Sequence, residues 1–232
     1  MLGTIVNTVA ILVGSIIGLV FHKHIHEGLR GVVFTGTGLV ALVIGVGMAL
    51  ESQRILYLAL SLVLGGIVGE RVGIENRILG FGEFLRRRFA SDAGEGQFAA
   101  GFLTSSVLYC VGAMAIIGAF RAGVDGDYQL LFTKSVMDGF MSILLAGAMG
   151  IGVAFSALSV FLYQGALTLL SVQLRPLVSE LVLSELTGVG GTLVIMIGLN
   201  LLALKEIKTA NFLPSLVFVV LFVALDPFLP IA

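Results

Sequence analysis

Tryptophan is absent from this 232-residue chain, which also has only one cysteine, four prolines and 12% charged residues. Soluble domains carry about 25% charged residues, so the shortage of charge argues against an ordinary soluble protein. The lone thiol, Cys110, excludes an intrachain disulfide and a paired-cysteine motif. A net charge of −1 provides no basic field for nucleic acid, and no nucleic-acid partner is expected.

Hydrophobic residues, in contrast, make up 58% of the chain, and the mean hydropathy is +1.11. About 20 apolar residues cross a bilayer as a helix. The composition therefore predicts an all-α fold, a polytopic helical membrane protein whose residues 1–232 form a single integral membrane domain in the lipid bilayer. The eight predicted spans cover residues 2–21, 31–50, 55–70, 98–120, 133–152, 154–172, 187–204 and 212–229.

The connection 71–97 contains five arginines, and its apolar residues recur with the spacing of an amphipathic helix at a membrane interface. If the N-terminus lies outside, the inner loops hold nine of the 13 basic residues of the chain. Inner loops of membrane proteins are enriched in Lys and Arg. The sequence thus predicts an outer N-terminus and an inner-side position for 71–97.

Two pairs of segments resemble each other. Residues 7–14 resemble 105–112, and residues 35–45 resemble 187–198. The matched spans would cross the membrane in opposite directions, which is typical of the inverted repeats of secondary transporters. Glycine and aliphatic residues are so frequent here that chance can also produce such matches.

Lys134 and Asp138 are four residues apart at the start of the longest apolar run. A charged residue at the centre of a membrane helix costs roughly 2.5–3.5 kcal/mol, and an i, i+4 pair shares one helix face and can reduce that cost. We interpret Asp138 as a binding site for a cation or proton, with Lys134 as its counter-charge. The alternative is an interfacial pair in which Lys134 extends to the outer surface.

The run 139–172 contains no charge and has glycines at its middle, which suggests short, interrupted spans; such segments often build binding sites. The alternative is a tight hairpin whose glycines only permit close packing. Further candidate ligands for a small solute or ion are polar side chains on the two arms, namely Ser142, Ser156, Tyr163 and Gln164.

Asn7 and Asn200 are amides within predicted spans and must find partners inside the bundle. We include both among the candidate site residues. The alternative for each is a hydrogen bond that only joins helices.

Several motifs resemble the YqgA/YdfK-like bacterial membrane proteins, a domain-of-unknown-function family. They are Gly3-Thr-Ile-Val-Asn7, Lys134-Ser-Val-Met-Asp138-Gly139, Gly150–Ala157, Tyr163-Gln-Gly165, Thr187-Gly-Val-Gly190 and Asn211-Phe-Leu-Pro214. The resemblance covers nearly the whole chain and implies a bacterial inner-membrane location. It supplies no function beyond a loose description as transporters.

The leading hypothesis is a secondary transporter, an ion-coupled carrier of a small polar or charged solute. The first alternative is an oligomeric channel, since so small a chain often needs a second copy to enclose a path, as a homodimer or other homo-oligomer. The second is a structural or sensory membrane protein without transport. No HExxH or GxSxG motif is present, and we expect neither enzymatic activity nor a metal or cofactor.

Overall fold

The computed structural model describes residues 1–22, 27–90, 96–111, 113–174 and 179–226. Within these ranges the chain is helical without β-strands, as its composition predicts. A 3₁₀ turn over Thr209–Phe212 precedes the last helix. The helices are α1 (Leu2–His22), α2 (Glu27–Ala49), α3 (Ile55–Val72), α4 (Ile74–Phe89), α5 (Gln97–Cys110), α6 (Ala113–Val124), α7 (Gln129–Met149), α8 (Gly152–Leu174), α9 (Glu180–Leu201) and α10 (Ser215–Leu225).

Helices α1, α2, α3, α7, α8 and α9 are each long and apolar enough to cross a membrane. Helices α5 and α6 would together form one more span, which is bent by 58° at the break between them. The shorter apolar helix α10 occupies the described part of the last predicted span. The arrangement is consistent with eight membrane segments, although the segment predicted at 98–120 is two helices instead of one.

The charge-free run 139–172 forms most of two full-length helices. Helix α7 begins at Gln129, well before the run, and has 21 residues, while α8 has 23 residues. Gly150 ends α7 with φ +81°, a conformation that glycine adopts without steric cost. The short, interrupted spans expected in this run are not found there; the interrupted segment is α5–α6.

Helix α1 packs along α7 in the same direction. A Cβ added to Gly3 would contact Leu131, and one added to Gly18 would overlap the backbone carbonyl of Ile143. Both glycines are needed because the two helix backbones approach closely, as small residues allow in membrane bundles. The close approach places the polar residues of α1 directly beside those of α7.

Helix α2 packs along α9 in the opposite direction, since Gly38 lies next to Gly198 and Gly45 next to Gly191. Helices α1 and α5 also run in opposite directions, because α1 is antiparallel to α8 and α5 is parallel to it. Both pairs of segments matched in the sequence therefore have the relative direction that an inverted repeat requires. Internal symmetry itself stays a prediction.

These contacts assign the helix ends to two sides of the bundle. The side that we call the Met1 end carries the starts of α1, α3, α7 and α9, and the side that we call the Val72 end carries their C-termini. Helix α4 begins at the Val72 end, directly after Gly73. Its Leu85 packs against Phe98 and Phe102, whereas Phe84 and Phe89 are exposed. The predicted amphipathic helix within 71–97 therefore exists, with one apolar face on α5.

The span predicted to start at residue 187 belongs to the longer helix α9, which begins at Glu180. Ser179 caps this helix by accepting a hydrogen bond from the backbone N–H of Val182 at 3.2 Å.

Candidate functional site

Lys134 and Asp138 lie one turn apart on α7, and both side chains are buried in the bundle. Only 6% of Lys134 and 7% of Asp138 is exposed, and Nζ of Lys134 contacts Oδ2 of Asp138. Lys134 therefore does not extend to the membrane surface. Each charge compensates the desolvation of the other. Removing one partner of a buried ion pair typically costs about 3–5 kcal/mol, because the remaining charge is then buried without a counter-charge.

Asn7 on α1 is fully buried and joins Asp138 to Gln164. Its Nδ2 donates to Oδ2 of Asp138 at 2.9 Å and to Oε1 of Gln164 at 3.1 Å. Both partners are acceptors, so they fix the orientation of the Asn7 amide. Its Oδ1 has no hydrogen-bond partner among the described residues. A buried acceptor without a donor is costly, and this oxygen can still accept a hydrogen bond.

Gln164 on α8 continues the network to two threonines. Its Nε2 donates to Oγ1 of Thr4 at 3.3 Å, and Oγ1 of Thr4 lies 3.4 Å from Oγ1 of Thr168. The polar network that starts at the ion pair thus connects α7, α1 and α8. Its amide and threonine side chains are at least 95% buried.

Ser142 lies one turn after Asp138 and extends the polar stripe of α7. Its Oγ donates to the backbone carbonyl of Asp138 at 2.7 Å and lies 2.8 Å from the hydroxyl of Tyr109. The tyrosine comes from the last turn of α5, directly before the break in the α5–α6 segment. A hydrogen bond between two hydroxyls therefore connects α5, just before the break, to the helix that carries the ion pair.

A cavity of about 250 Å³ lies beside this network. Its polar wall contains Lys134, Asp138, Tyr109 and Thr187, and Glu51 lies at the end where α2 terminates. Glu51 is exposed, so this end of the cavity is close to the surface at the Met1 end. The rest of the wall is apolar and includes four of the seven methionines of the chain, Met48, Met114, Met137 and Met141.

A second, more open cleft of about 580 Å³ lies on the other side of the α5–α6 break. Its lining is mainly apolar and includes Cys110, Tyr163 and, towards the Val72 end, Arg77. Val111, at the break, lines both the cleft and the cavity. The break thus separates two spaces that approach each other inside the bundle.

The structure brings together five of the eight candidate site residues: Asp138, Lys134, Asn7, Gln164 and Ser142. The other three lie elsewhere. Tyr163 lines the cleft, and Ser156 donates to the backbone carbonyl of Val153 at 2.6 Å.

Asn200 lies at the Val72 end. It accepts a hydrogen bond from the backbone N–H of Ile207 and donates to its carbonyl, each at 2.8 Å. This residue orders the connection after α9 and is not part of the network around Asp138.

Sequence reasoning missed a second buried carboxylate, Glu185 in α9. It is fully buried and accepts hydrogen bonds from the backbone N–H groups of Gln53 and Arg54, at 2.7 and 2.8 Å, and from the Ser52 hydroxyl at 2.8 Å. Gln53 and Arg54 directly precede α3. An acidic side chain is favourable there because N–H groups at the start of a helix lack backbone partners. Its charge two residues before the predicted span 187–204 was the signal that could have revealed it.

Thr4 and Thr168 were also missed, since threonine is common in membrane helices and nothing in their spacing distinguishes them. Among the described residues, no group of three or more His, Cys, Asp or Glu side chains is placed to hold a metal ion. Lys134, Asp138 and Tyr109, which line the cavity, can instead offer an ion pair or hydrogen bonds to a polar group placed there.

A family model described as "Protein of unknown function (DUF554)" matches residues 2–224. The chain is 34% identical over 229 residues to the uncharacterized membrane protein YdfK of Bacillus subtilis, with 96% of each chain covered. It is 26% identical over 218 residues to the uncharacterized protein YqgA of Escherichia coli, with 93% of each chain covered. No solved structure matches the chain.

Proposed function

We propose that this chain, which belongs to the DUF554 family of membrane proteins of unknown function, is a secondary transporter of a small polar or charged solute. The proposal rests on one observation, the buried Lys134–Asp138 pair on the wall of a cavity near the Met1 end. Ionisable residues inside a membrane bundle are costly and usually belong to a substrate or ion path. Asp138 receives the cationic group of the solute or of a coupling ion, and Lys134 is its counter-charge.

The interrupted α5–α6 segment supports the same function. Carriers commonly build their sites at discontinuous helices near the middle of the membrane. Here Tyr109, directly before the break, faces the cavity, and Val111, at the break, borders both the cavity and the cleft. A displacement at this break would connect the solute in the cavity to the opposite side of the protein.

We place the protein in the bacterial inner membrane with the Met1 end outside. The Val72 end then faces the cytoplasm together with the arginines of α4, as the distribution of basic residues favours. In this orientation the cavity is the outward-facing solute site. Assembly as a homodimer or other homo-oligomer is part of the proposal.

Counterflow in proteoliposomes tests the transport activity. Liposomes containing the purified protein are loaded with unlabelled L-leucine, L-lysine or succinate, and accumulation of the same radiolabelled compound is measured. We expect saturable accumulation of at least one solute with wild-type protein. The double variant Lys134→Gln/Asp138→Asn, which removes both charges and leaves no unpaired one, should not accumulate it.

Asp125→Asn is the matched control, because this exposed carboxylate lies in the connection between α6 and α7. It should transport as the wild type does. Equal counterflow in the double variant, or none with any of the three solutes, would refute the transporter. Unitary currents in planar bilayers would instead support the oligomeric channel.

A further inference from the structure

The charges that line the cavity constrain the solute that can bind. Lys134 and Asp138 neutralise each other and are at least 93% buried, so the inner wall of the cavity has no net charge. A solute with a net charge would add a charge without a partner to this low-dielectric space, which is strongly unfavourable. A zwitterion would add none, since it can exchange the one internal ion pair for two pairs with the protein.

The remaining wall favours an apolar group. Met48, Met114, Met137 and Met141 offer flexible thioether side chains that adapt to differently shaped apolar groups. The volume of about 250 Å³ lies just below the roughly 300–1,000 Å³ of pockets that hold drug-sized ligands. This space suits a smaller solute, such as a medium-sized amino acid.

We propose that the cavity binds a zwitterionic α-amino acid with an apolar side chain. The carboxylate pairs with Lys134, the ammonium pairs with Asp138, and the side chain contacts the methionine wall. Glu51, which is exposed at the mouth, attracts the ammonium end first and orients the entering molecule. This assignment names the substrate of the proposed transporter. Binding of the amino acid does not depend on the transport function, and only its movement across the membrane rests on that proposal.

Isothermal titration calorimetry of the protein in nanodiscs tests the assignment with L-leucine and two analogues that each lack one charge. The analogue 4-methylpentanoate lacks the ammonium group, and 3-methylbutylamine lacks the carboxylate. We expect saturable binding of leucine and at least about tenfold weaker binding of each analogue, because each leaves Asp138 or Lys134 without its new partner. Glycine, which has no side chain to contact the methionines, should also bind more weakly than leucine.

Two variants complete the experiment. Lys134→Gln/Asp138→Asn should lose the preference for leucine over both analogues, whereas Asp125→Asn should keep the wild-type affinities. Absence of leucine binding, or an analogue that binds as tightly as leucine, would overturn the assignment.

The outcomes also separate this inference from the transport activity. Leucine binding without counterflow of any solute would refute the transporter and leave the amino-acid site intact. Counterflow of lysine or succinate that depends on Lys134 and Asp138, without leucine binding, would overturn the amino-acid site alone.

Discussion

The side-chain amide of Asn7 donates a 2.9 Å hydrogen bond to the carboxylate of Asp138, 131 residues further along the chain. This bond and its companion to Gln164 hold three helices around one buried charge. The carboxylate therefore has two donors, the Asn7 amide and the Lys134 ammonium. Its position depends on α1 as much as on its own helix.

Asn7→Ala and Asn200→Ala should have different consequences although both remove a hydrogen-bonded amide of the bundle. Loss of Asn7 removes one of the two donors of Asp138 and the donor to Oε1 of Gln164, which costs about 1–3 kcal/mol and should weaken solute binding. Loss of Asn200 removes the acceptor of the Ile207 N–H and one of the donors to its carbonyl, and should increase hydrogen exchange only around residues 204–209. Exchange mass spectrometry together with calorimetry measures both effects. Equal loss of solute binding in the two variants would contradict the assignment of Asn200 to the loop.

A double-mutant cycle tests whether Lys134 and Asp138 compensate each other. Lys134→Gln or Asp138→Asn alone leaves one buried charge unpaired and should reduce the free energy of unfolding by about 3–5 kcal/mol. The double variant should lose much less than the sum of the two single losses. Unfolding in mixed micelles provides the free energies. Additive losses would mean that the two charges are solvated independently.

Gly14→Ala should destabilise the packing of α1 against α7. A Cβ at this position would overlap the backbone carbonyl oxygen of Gly139, and overpacking of this kind typically costs about 1–3 kcal/mol. Gly36→Ala is the matched control, since a Cβ there meets nothing within 4 Å. The control should be neutral or gain up to about 1 kcal/mol from its better helix propensity. Thermal unfolding of the two variants in the same detergent compares them directly.

Acidification should weaken helix α4 through Glu83. Hydrogen bonds from Arg86, at 2.8 and 2.7 Å, and from Arg87, at 3.1 Å, lower the pKa of Glu83 from 4.5 to about 2. Because the pKa is depressed in the folded protein, the contribution is complete above about pH 4.5 and is lost as the pH falls towards 2. Carboxyl-labelled NMR should give the low pKa. Protection of α4 from hydrogen exchange, taken relative to the intrinsic exchange rate at each pH, should fall across this window in the wild type and much less in Glu83→Gln.

Cysteine labelling in cells tests the orientation. In a Cys110→Ser background, Asp125→Cys should react with a membrane-impermeant maleimide in cells in which only the outer membrane or cell wall has been permeabilised. Lys205→Cys should react only after the inner membrane is permeabilised, because it lies at the Val72 end. Both parent residues are exposed, so access to the reagent and not burial decides the result. The opposite labelling pattern would reverse the proposed topology.

Composition was sufficient to predict an all-helical membrane protein. So apolar a chain belongs in a bilayer, where long apolar runs make their backbone hydrogen bonds internally by forming helices. The position of Asp138 inside the bundle could also be predicted, since it lies well inside an apolar run. Its role in binding stays a prediction. The sequence does not determine which side chains contact Asp138. The contacts with Asn7 and Gln164 depend on α1 lying parallel to α7, which pairs of glycines permit but do not specify.

Other features required the three-dimensional arrangement. Asn200 and Asn7 look alike in the sequence, yet a backbone loop satisfies only Asn200. The partners of Glu185 could not be predicted, because the backbone groups that it satisfies directly precede α3, more than a hundred residues earlier. The break at Val111 was not predicted, since residues 98–120 form an uninterrupted apolar run that has the composition of a single helix.

The close glycine contacts join α1 to α7 and α2 to α9, and the cavity lies between these two pairs. Ile44, Met48, Thr187 and Val194 belong to the α2–α9 pair, whereas Lys134 and Asp138 belong to α7. Each pair can therefore behave as a rigid body. Rocking of one body against the other would widen or close the space around the ion pair without disturbing the backbone contacts within either. The glycines that allow close packing within each pair would then also determine that sliding occurs between the α1–α7 pair and the α2–α9 pair.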